Sequence, residues 1–580
     1  DPLGPENKLV FAAGVLTGLP CSGLSRNAVG AKSPLTGGFG GSEAGGFWGV
    51  EFKRAGFDAI IFEGISPKPV YLWIKDGVAE LRDATHLWGK TTKQTREGIR
   101  EELGDGRIRC AMIGPGGENM VRIACIMHGL FDAAGRTGLG AVMGSKKLKA
   151  IAVRGTKPVE AADPEKIREM ARQMAGRVTD RRAEADTPYY GTGAGLARGL
   201  ASGNLPVNNF RDGEFAKVDD LSAENFMPLI GTGMEGCYAC AVRCKKVVQT
   251  EPPYTVDPDY GGPEYETLGS FGTCCGVDNI AAVCKAGEMC NAYSLDTIGV
   301  GVTIAFAMEC FEKGLLTLED TDGLDLRFGN ADAMIQAVEK IGRGSEGLGT
   351  LLAEGSRRLA RRIGKGAEAF AMQVKGEEIP MHEPRFKRAM AIGYCVSPNG
   401  PDHNAALHDQ ELVNAGEDGL LARGRMRALG VLEPVALESL GPEKVRAVMY
   451  STRMWMAGNC LPVCTFVNWS PDQEAELVRA ATGWDVSTYE VMKVGERAFN
   501  LARVFNFREG ITSKDEHLPT RSYTPTTSGA LAEGGLDREE LRQAIHTYYA
   551  MAGWDPETGV PLPAKLQELD VSWAIEYLPK

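Results

Sequence analysis

Cys237-Tyr238-Ala239-Cys240-Ala241-Val242-Arg243-Cys244 places three thiols at the spacing C-x2-C-x3-C within a chain of 580 residues. That spacing gathers three thiolates on one tight turn, read here as the entrance to a helix, where they can hold three irons of a cubane cluster. The fourth ligand has to come from elsewhere. Asn459-Cys460-Leu461-Pro462-Val463-Cys464 offers two candidates far along the chain. Structural zinc recruits its ligands as two C-x2-C or His pairs, and no second pair of that spacing is present. The motif therefore reads as an iron-sulfur site.

Moving outward from the motif, the chain has two textures. Residues 1–155 are glycine-rich and broken into short apolar runs, among them 59–62, 70–74, 110–113 and 150–153, each bounded by turn formers. This predicts a sheet domain with long functional loops. After Asp163, the sequence Pro164-Glu165-Lys166-Ile167 opens a capped helix that continues to about residue 181. Helical spacing of apolar residues recurs over 282–315, 331–364, 410–448 and 487–503, whereas 249–263 and 376–402 read as Gly/Pro-rich loops. Polar stretches near 155–162 and 373–380 are the candidate boundaries.

A net charge of −12 argues against nucleic acid or an anionic membrane as the main partner. No run of eighteen or more apolar residues exists, and no secretion signal opens the chain. Together with fourteen cysteines, this points to a reducing, cytoplasmic setting in which thiols serve as ligands or as small buried hydrophobes. Cys274, Cys275, Cys284, Cys290 and Cys310 lie in apolar surroundings and read as the latter. The start at Asp1, without Met and running straight into the apolar stretch 9–15, suggests that residues are missing from the N-terminus.

The ordered blocks Lys32-Ser33-Pro34-Leu35-Thr36-Gly37, Gly45-Gly46-Phe47-Trp48-Gly49, Ile113-Gly114-Pro115, Ala134-Gly135-Arg136 through Lys146, the cysteine motif, Gly262-Pro263-Glu264-Tyr265-Glu266-Thr267 and Leu295-Asp296-Thr297-Ile298 resemble the tungsten-containing aldehyde ferredoxin oxidoreductase family over almost the whole chain. The resemblance implies an α+β architecture. Residues 1–158 would be a β-sheet base binding a bis-pterin cofactor. Two mainly α-helical domains follow, 159–372 with the cysteine motif and active-site Glu, and 373–580 with the fourth cluster cysteine. The implied cofactors are a tungsten or molybdenum bis-molybdopterin, one [4Fe-4S] cluster held by Cys237, Cys240, Cys244 and Cys464, and a magnesium bridging the pterin phosphates. Two dithiolenes would supply the metal with four sulfurs, which leaves the protein the task of gripping phosphates and pterin rings. Arg26 and Arg136 match the phosphate-gripping arginines, a role suited to a guanidinium fork. Gly45 and the run Gly138-Leu139-Gly140 would let backbone amides approach a phosphate. Asn291, Leu295, Asp296 and Thr297 form one pterin-binding element, and Asn459 and Val463 belong to the other. This chain departs from the family in carrying Asn291 and Asn459 where an acid is usual, and Glu43 where an Asn near magnesium is usual.

For the reaction, Tyr265 and Glu266 match the acid-base pair over the metal, and His403 falls where the family places a histidine, with His408 as a weaker substitute. The resemblance implies that an activated oxygen attacks the aldehyde carbon while Glu266 takes a proton and Tyr265 or His403 polarises the carbonyl. Electrons would leave through the cluster to ferredoxin or a dedicated iron-sulfur subunit, which can in turn relay to a flavin subunit. No histidine has Glu three residues earlier, so an oligomer bridged by iron on a Glu-x-x-His helix is not expected. Two alternatives stand beside this reading. One is a ring-reducing tungsten enzyme of the same superfamily acting on an aromatic thioester, whose members replace the carboxylate kept here as Glu266. The other is a non-catalytic electron-transfer or scaffold subunit retaining only the cluster.

Overall fold

The computed structural model describes residues 1–180, 187–413 and 425–579. As the short apolar runs predict, the N-terminal region folds into two sheets. β1 (Leu9–Ala13), β2 (Asn27–Lys32), β3 (Phe39–Ala44) and β4 (Ala59–Phe62) form an antiparallel sheet in the order β3-β2-β1-β4. β5 (Val70–Lys75), β6 (Val78–Asp83), β7 (Arg109–Met112), β8 (Ile126–His128), β9 (Ala133–Ala134) and β10 (Leu148–Arg154) form the second, ordered β6-β5-β10-β7-β8-β9, with β5 and β10 its parallel pair.

One apolar layer joins the sheets. Phe11 and Val29 of the first meet Ile74, Ile126, Ile151 and Val153 of the second, with Trp48 and Phe52 wedged between them. Burying an aromatic of this size stabilises by about 1.5–3 kcal/mol. Trp48 satisfies its indole by donating to Ile151 O at 2.9 Å. The glycine run expected to approach a phosphate serves packing instead. A Cβ at Gly140 would lie 2.2 Å from Cys125 O, and one at Gly144 1.8 Å from Gly117 O. The Gly140 amide already donates to Ala124 O. The helix Leu139–Ser145 therefore sits directly on neighbouring backbone, and Gly144→Ala would break that seat.

The remainder is mainly helical, giving the α+β class. Pro164–Asp180, Ile280–Tyr293, Thr297–Glu312, Ala331–Arg343, Pro442–Cys460, Thr488–Arg508 and Arg538–Ala552 are its long helices. One apolar core runs through both helical portions to Trp554 and takes in Tyr71, Met112 and Ala152 of the second sheet. Within 410–448 only Gln410–Val413, a short 3-10 turn and the start of Pro442–Cys460 are helical, and 414–424 lie outside the described residues.

Two expectations are corrected. The stretch 376–402 is not all loop, because Arg388–Val396 is a helix. Every residue from Ala389 to Val396 is buried, so no polar face exists to reveal the 3.6-residue period. The cysteine motif does not enter a helix either. It forms the loop between the antiparallel strands β11 (Gly231–Glu235) and β12 (Lys245–Val248). Ala239 and Arg243, each immediately before a cysteine, take left-handed backbone angles (φ 53° and 50°). L-residues rarely adopt such angles. Here they turn Cys240 and Cys244 toward a common centre.

Candidate active site and cluster site

Three distant segments meet around the motif. Ser22 O accepts from the Trp469 indole at 3.1 Å, Ser22 Oγ accepts from Ala241 N at 3.1 Å, and Cys464 N donates to Gly23 O at 3.0 Å. The loop 20–26 of the sheet domain thus stitches the motif loop to the segment carrying Cys464. Cys464 acts electrostatically on Cys237, Cys240 and Cys244. Cys460 faces Glu43 instead. Burial, then Cys464, pushes the Cys237 thiol up to about 11 and raises Cys240. Burial, then Glu264 and Cys464, raises Cys244. Four thiols converging in a partly buried place suit a [4Fe-4S] cluster, and binding one would release their protons. Gly45 closes the site from the sheet side. Gly46 N donates to Cys237 Sγ at 3.2 Å, and a Cβ at Gly45 would lie 3.0 Å from that sulfur. The other cysteines read as packing residues, Cys274, Cys275, Cys284, Cys290 and Cys310, are all buried.

Beside the thiols opens a cavity of about 1510 Å³ between the first sheet and the helical region. It is larger than an ordinary small-molecule pocket of roughly 300–1,000 Å³. Arg26, Gly45, Arg136, Asp296, Thr297, Asn459 and Val463 all line it, together with Cys237, Cys244, Cys464, Tyr265, Glu266 and His403. Cys240 instead faces an outer hollow of about 580 Å³. Asn291 and Leu295 line a neighbouring space of about 170 Å³ whose wall shares Asp296 and Thr297 with the large cavity. Asn291 spends its amide on Tyr260 O at 3.0 Å.

The two arginines are held differently. Arg26 stands between the thiols and Glu43, with Nε 3.4 Å from Glu43 Oε2. Burial opposes its charge, yet Cys464, Glu43 and Cys237 hold its pKa above the ordinary value. Burial pushes Glu43 up to about 7 against the pull of Arg26. Glu43 and Asn459, two of the departures from the family pattern, face each other. With its amide turned to donate, Asn459 reaches Glu43 Oε1 at 3.2 Å and Trp455 O at 3.0 Å. Arg136 is more fully engaged, donating to Pro401 O at 2.6 Å and to Glu378 O, with Asp296 and Glu377 at 3.4 and 3.5 Å. Burial pushes Glu377 up to about 8 and raises Asp296, in each case against Arg136. Asp296 caps the helix Thr297–Glu312 by accepting from Ile298 N at 3.0 Å. Arg136 thereby anchors the 399–404 loop, which Asn399 also ties to Gly41 of β3.

That loop delivers His403 to Glu266. Glu266 Oε2 accepts from Met381 N at 2.7 Å. Its Oε1 is buried and receives no aligned hydrogen bond, although His382 Nε2 and His403 Nε2 stand 3.3 and 3.6 Å away. His403 Nδ1 is likewise without a partner. Tyr265 donates to Met381 O at 2.8 Å and accepts from Asn204 Nδ2 at 3.0 Å. Burial, then Glu266, raises its phenol well above the ordinary value, so it stays a donor. A large cavity with one open carboxylate oxygen and an open imidazole nitrogen fits a bound group that brings a reacting centre to them.

Sequence reasoning missed His382, Lys387 and Lys245. His382 stacks on the Tyr265 ring at 4.9 Å, but Met381-His382-Glu383 matches no spacing that marks a site. Lys245 pairs with Asp132 inside the cavity wall, and burial lowers it to about 8. Its position directly after Cys244 was the one available signal.

Comparison with known proteins finds matches over almost the whole chain. The family profile described as aldehyde ferredoxin oxidoreductase, N-terminal domain, matches residues 1–155, and that described as its domains 2 and 3 matches 169–571. The tungsten-containing aldehyde ferredoxin oxidoreductase of Thermococcus kodakarensis is 36% identical over 577 residues, covering 99% of this chain and 91% of the relative. The WOR-like subunit of an aliphatic sulfonate oxidoreductase from Pyrococcus furiosus is 32% identical over 614 residues, covering 99% and 89%. Among solved structures, the active-site complex of benzoyl coenzyme A reductase with 1,5-dienoyl-CoA superposes with a TM-score of 0.82 at 27% identity, covering 99% of this chain and 90% of that one.

Proposed function

The chain belongs to the aldehyde ferredoxin oxidoreductase family of tungsten enzymes, and on that footing we propose that it oxidises aldehydes to carboxylic acids with Glu266 as the proton acceptor. The observation that carries this reading is the buried Oε1 of Glu266, which has no hydrogen-bond partner on a residue that lines the cavity, while Oε2 accepts from Met381 N. Arg26, Gly45, Asn459 and Val463 on one side, and Arg136, Asn291, Leu295, Asp296 and Thr297 on the other, would hold the two pterins, with Glu43 near the magnesium. Cys237, Cys240, Cys244 and Cys464 would hold the [4Fe-4S] cluster. When bound, the tungsten or molybdenum pterin supplies a two-electron acceptor and the cluster a one-electron exit toward ferredoxin or an iron-sulfur subunit, which can relay to a flavin subunit.

The chain's own residues manage the substrate and its protons. Conversion of an aldehyde and water to an acid releases two electrons and two protons. Glu266 Oε1 accepts the first proton as the new C–O bond forms. Tyr265 remains protonated, and its one O–H would turn from Met381 O to the carbonyl oxygen, with His403 Nε2 3.6 Å from the same carboxylate.

The aromatic-thioester alternative draws on the solved ring-reductase complex, while the retained Tyr265-Glu266 pair favours the aldehyde. In the test, wild-type protein and Glu266→Gln, each shown by metal analysis to carry the same tungsten and iron, are assayed on aldehydes and on an aromatic acyl-CoA. Loss of about 10²–10⁴-fold in aldehyde turnover is expected for the variant. Full turnover by a metal-replete variant would show that Glu266 is not the base.

A further inference from the structure

Behind Glu266 lies a set of side chains that the proposed reaction leaves unused. Lys387, immediately before the helix Arg388–Val396, is buried and extends Nζ between two imidazoles. It reaches His382 Nδ1 at 3.0 Å and His408 Nδ1 at 2.9 Å. An ammonium has three donors and no acceptor, so both Nδ1 atoms have to be the bare nitrogens and both rings carry their proton on Nε2. The contacts on the far sides of the rings agree independently. His408 Nε2 lies 3.1 Å from the backbone oxygen of His403, which can only accept, and His382 Nε2 lies 3.3 Å from Glu266 Oε1. Rotation of the His382 ring, which would exchange its two nitrogens, is opposed by packing. One face stacks on Tyr265 at 4.9 Å and 17°, and His408 meets it edge-on at 4.9 Å and 82°.

We propose that Lys387 is the positioning residue of this site: as an ammonium it fixes His382 and His408 as their Nε2–H tautomers, so that His382 presents an N–H toward the open oxygen of Glu266 while His408 ties down the backbone of His403. This inference rests on the reading of Glu266 as proton acceptor. It also explains why the imidazoles of His382 and His408 stay uncharged side by side. Burial, then Lys387, holds His382 and His408 well below their ordinary values. A metal ion among Glu266, His382 and His403, whose ligand atoms lie within 4.8 Å of one another, is disfavoured by the same buried cation.

Groups from each surrounding segment face Lys387. They are Glu266 from its short helix, His382 from the segment before Lys387, and His408, Asp409 and Glu411 from the loop beyond His403. Asp409 is already engaged by Lys444 and by Ala389 N. Burial, against the pull of Asp409, Glu411 and Glu266, brings Lys387 down to about 8. Above that pH the ammonium becomes an amine whose lone pair can accept from a ring N–H, so neither Nδ1 is held bare and the tautomers can exchange. Turnover then falls for a reason separate from metal loss.

Neutron diffraction from deuterated crystals at neutral pH reads the arrangement without turnover. Deuterium on Nε2 and none on Nδ1 of both rings, with three on Lys387 Nζ, is the expected result. Deuterium on either Nδ1 overturns the proposal. In solution, metal-loaded Lys387→Met and Lys387→Arg are compared with wild type using an aldehyde and benzyl viologen. The methionine variant should lose on the order of tenfold or more in kcat. It should also lose the alkaline fall near pH 8 that wild type shows. The arginine variant, a cation that does not titrate in this range, should retain activity without that fall. A methionine variant with the wild-type profile sinks the idea. Should that variant fail to fold, an arginine variant that keeps the alkaline fall does the same. If fully metallated wild type oxidises no aldehyde, the functional reading fails while the neutron result still decides the tautomers.

Discussion

The pair Lys444–Asp409 gives the sharpest energetic test of how the site is supported. Both side chains are fully buried, and Asp409 takes Ala389 N on its two oxygens at 3.0 and 2.9 Å. The pair thus ties the helix Pro442–Cys460 to the start of the helix after Lys387. Lys444→Met leaves a buried carboxylate with one backbone donor and only Lys387, which makes no ion pair with it, as countercharge. Removing one partner of such a pair costs about 3–5 kcal/mol. With unfolding entropy of about 2.1 cal/mol/K per residue, a cooperative unit of 580 residues would lose about 2.5–4 °C in Tm, and a smaller unit proportionally more. The cost depends on pH with a definite sign. Burial already raises Asp409 above its ordinary value, against the pull of Lys444. Its folded state therefore prefers the neutral acid, so stability is fully present below the ordinary aspartate value and is lost as pH rises through the folded one. Without Lys444 this loss deepens, and the variant should be nearer to wild type at about pH 4 than at about pH 8. Denaturation of metal-free protein followed by circular dichroism reads this, with Lys444→Met/Asp409→Leu as the companion. The double variant should recover most of the loss, because an apolar pair carries no desolvation cost. A single-variant loss below about 1 kcal/mol, or a double variant no better than the single, would refute the argument.

Glu474 is buried on the helix Pro471–Thr482, and burial pushes it up to about 7 against Arg425. Its stability contribution is present below pH 4.5 and is lost as pH rises toward 7, in total about 3 kcal/mol; Glu474→Gln should flatten that slope in the same denaturation series. Cys464→Ser should lower iron from about four to about three per chain in anaerobically purified protein, with Cys460→Ser unchanged. Unaltered iron in the first variant would assign the fourth ligand elsewhere.

The sequence alone determined what local chemistry determines. Short β-rich runs between glycines announced β4, β5, β7 and β10, and the Asp163–Pro164 start announced the helix Pro164–Asp180, because periodicity and capping act over a few residues. Family-matching blocks brought Glu266, Tyr265, Arg26, Arg136 and the cysteines to notice, since their types suit that chemistry. Tertiary structure decided what depends on distance. The helix Arg388–Val396 is buried all round and leaves no period to read. The run Gly138-Leu139-Gly140 looks like a phosphate loop until the backbone of 122 and 125 is seen filling the space beside its glycines. Asn459 looks like a lost charge until Glu43 is found opposite it. Lys387 lies 121 positions after Glu266, and nothing in its neighbours marks it. It gains meaning only where folding buries it between two imidazoles, since tautomers and shifted pKa values are set by neighbours in space.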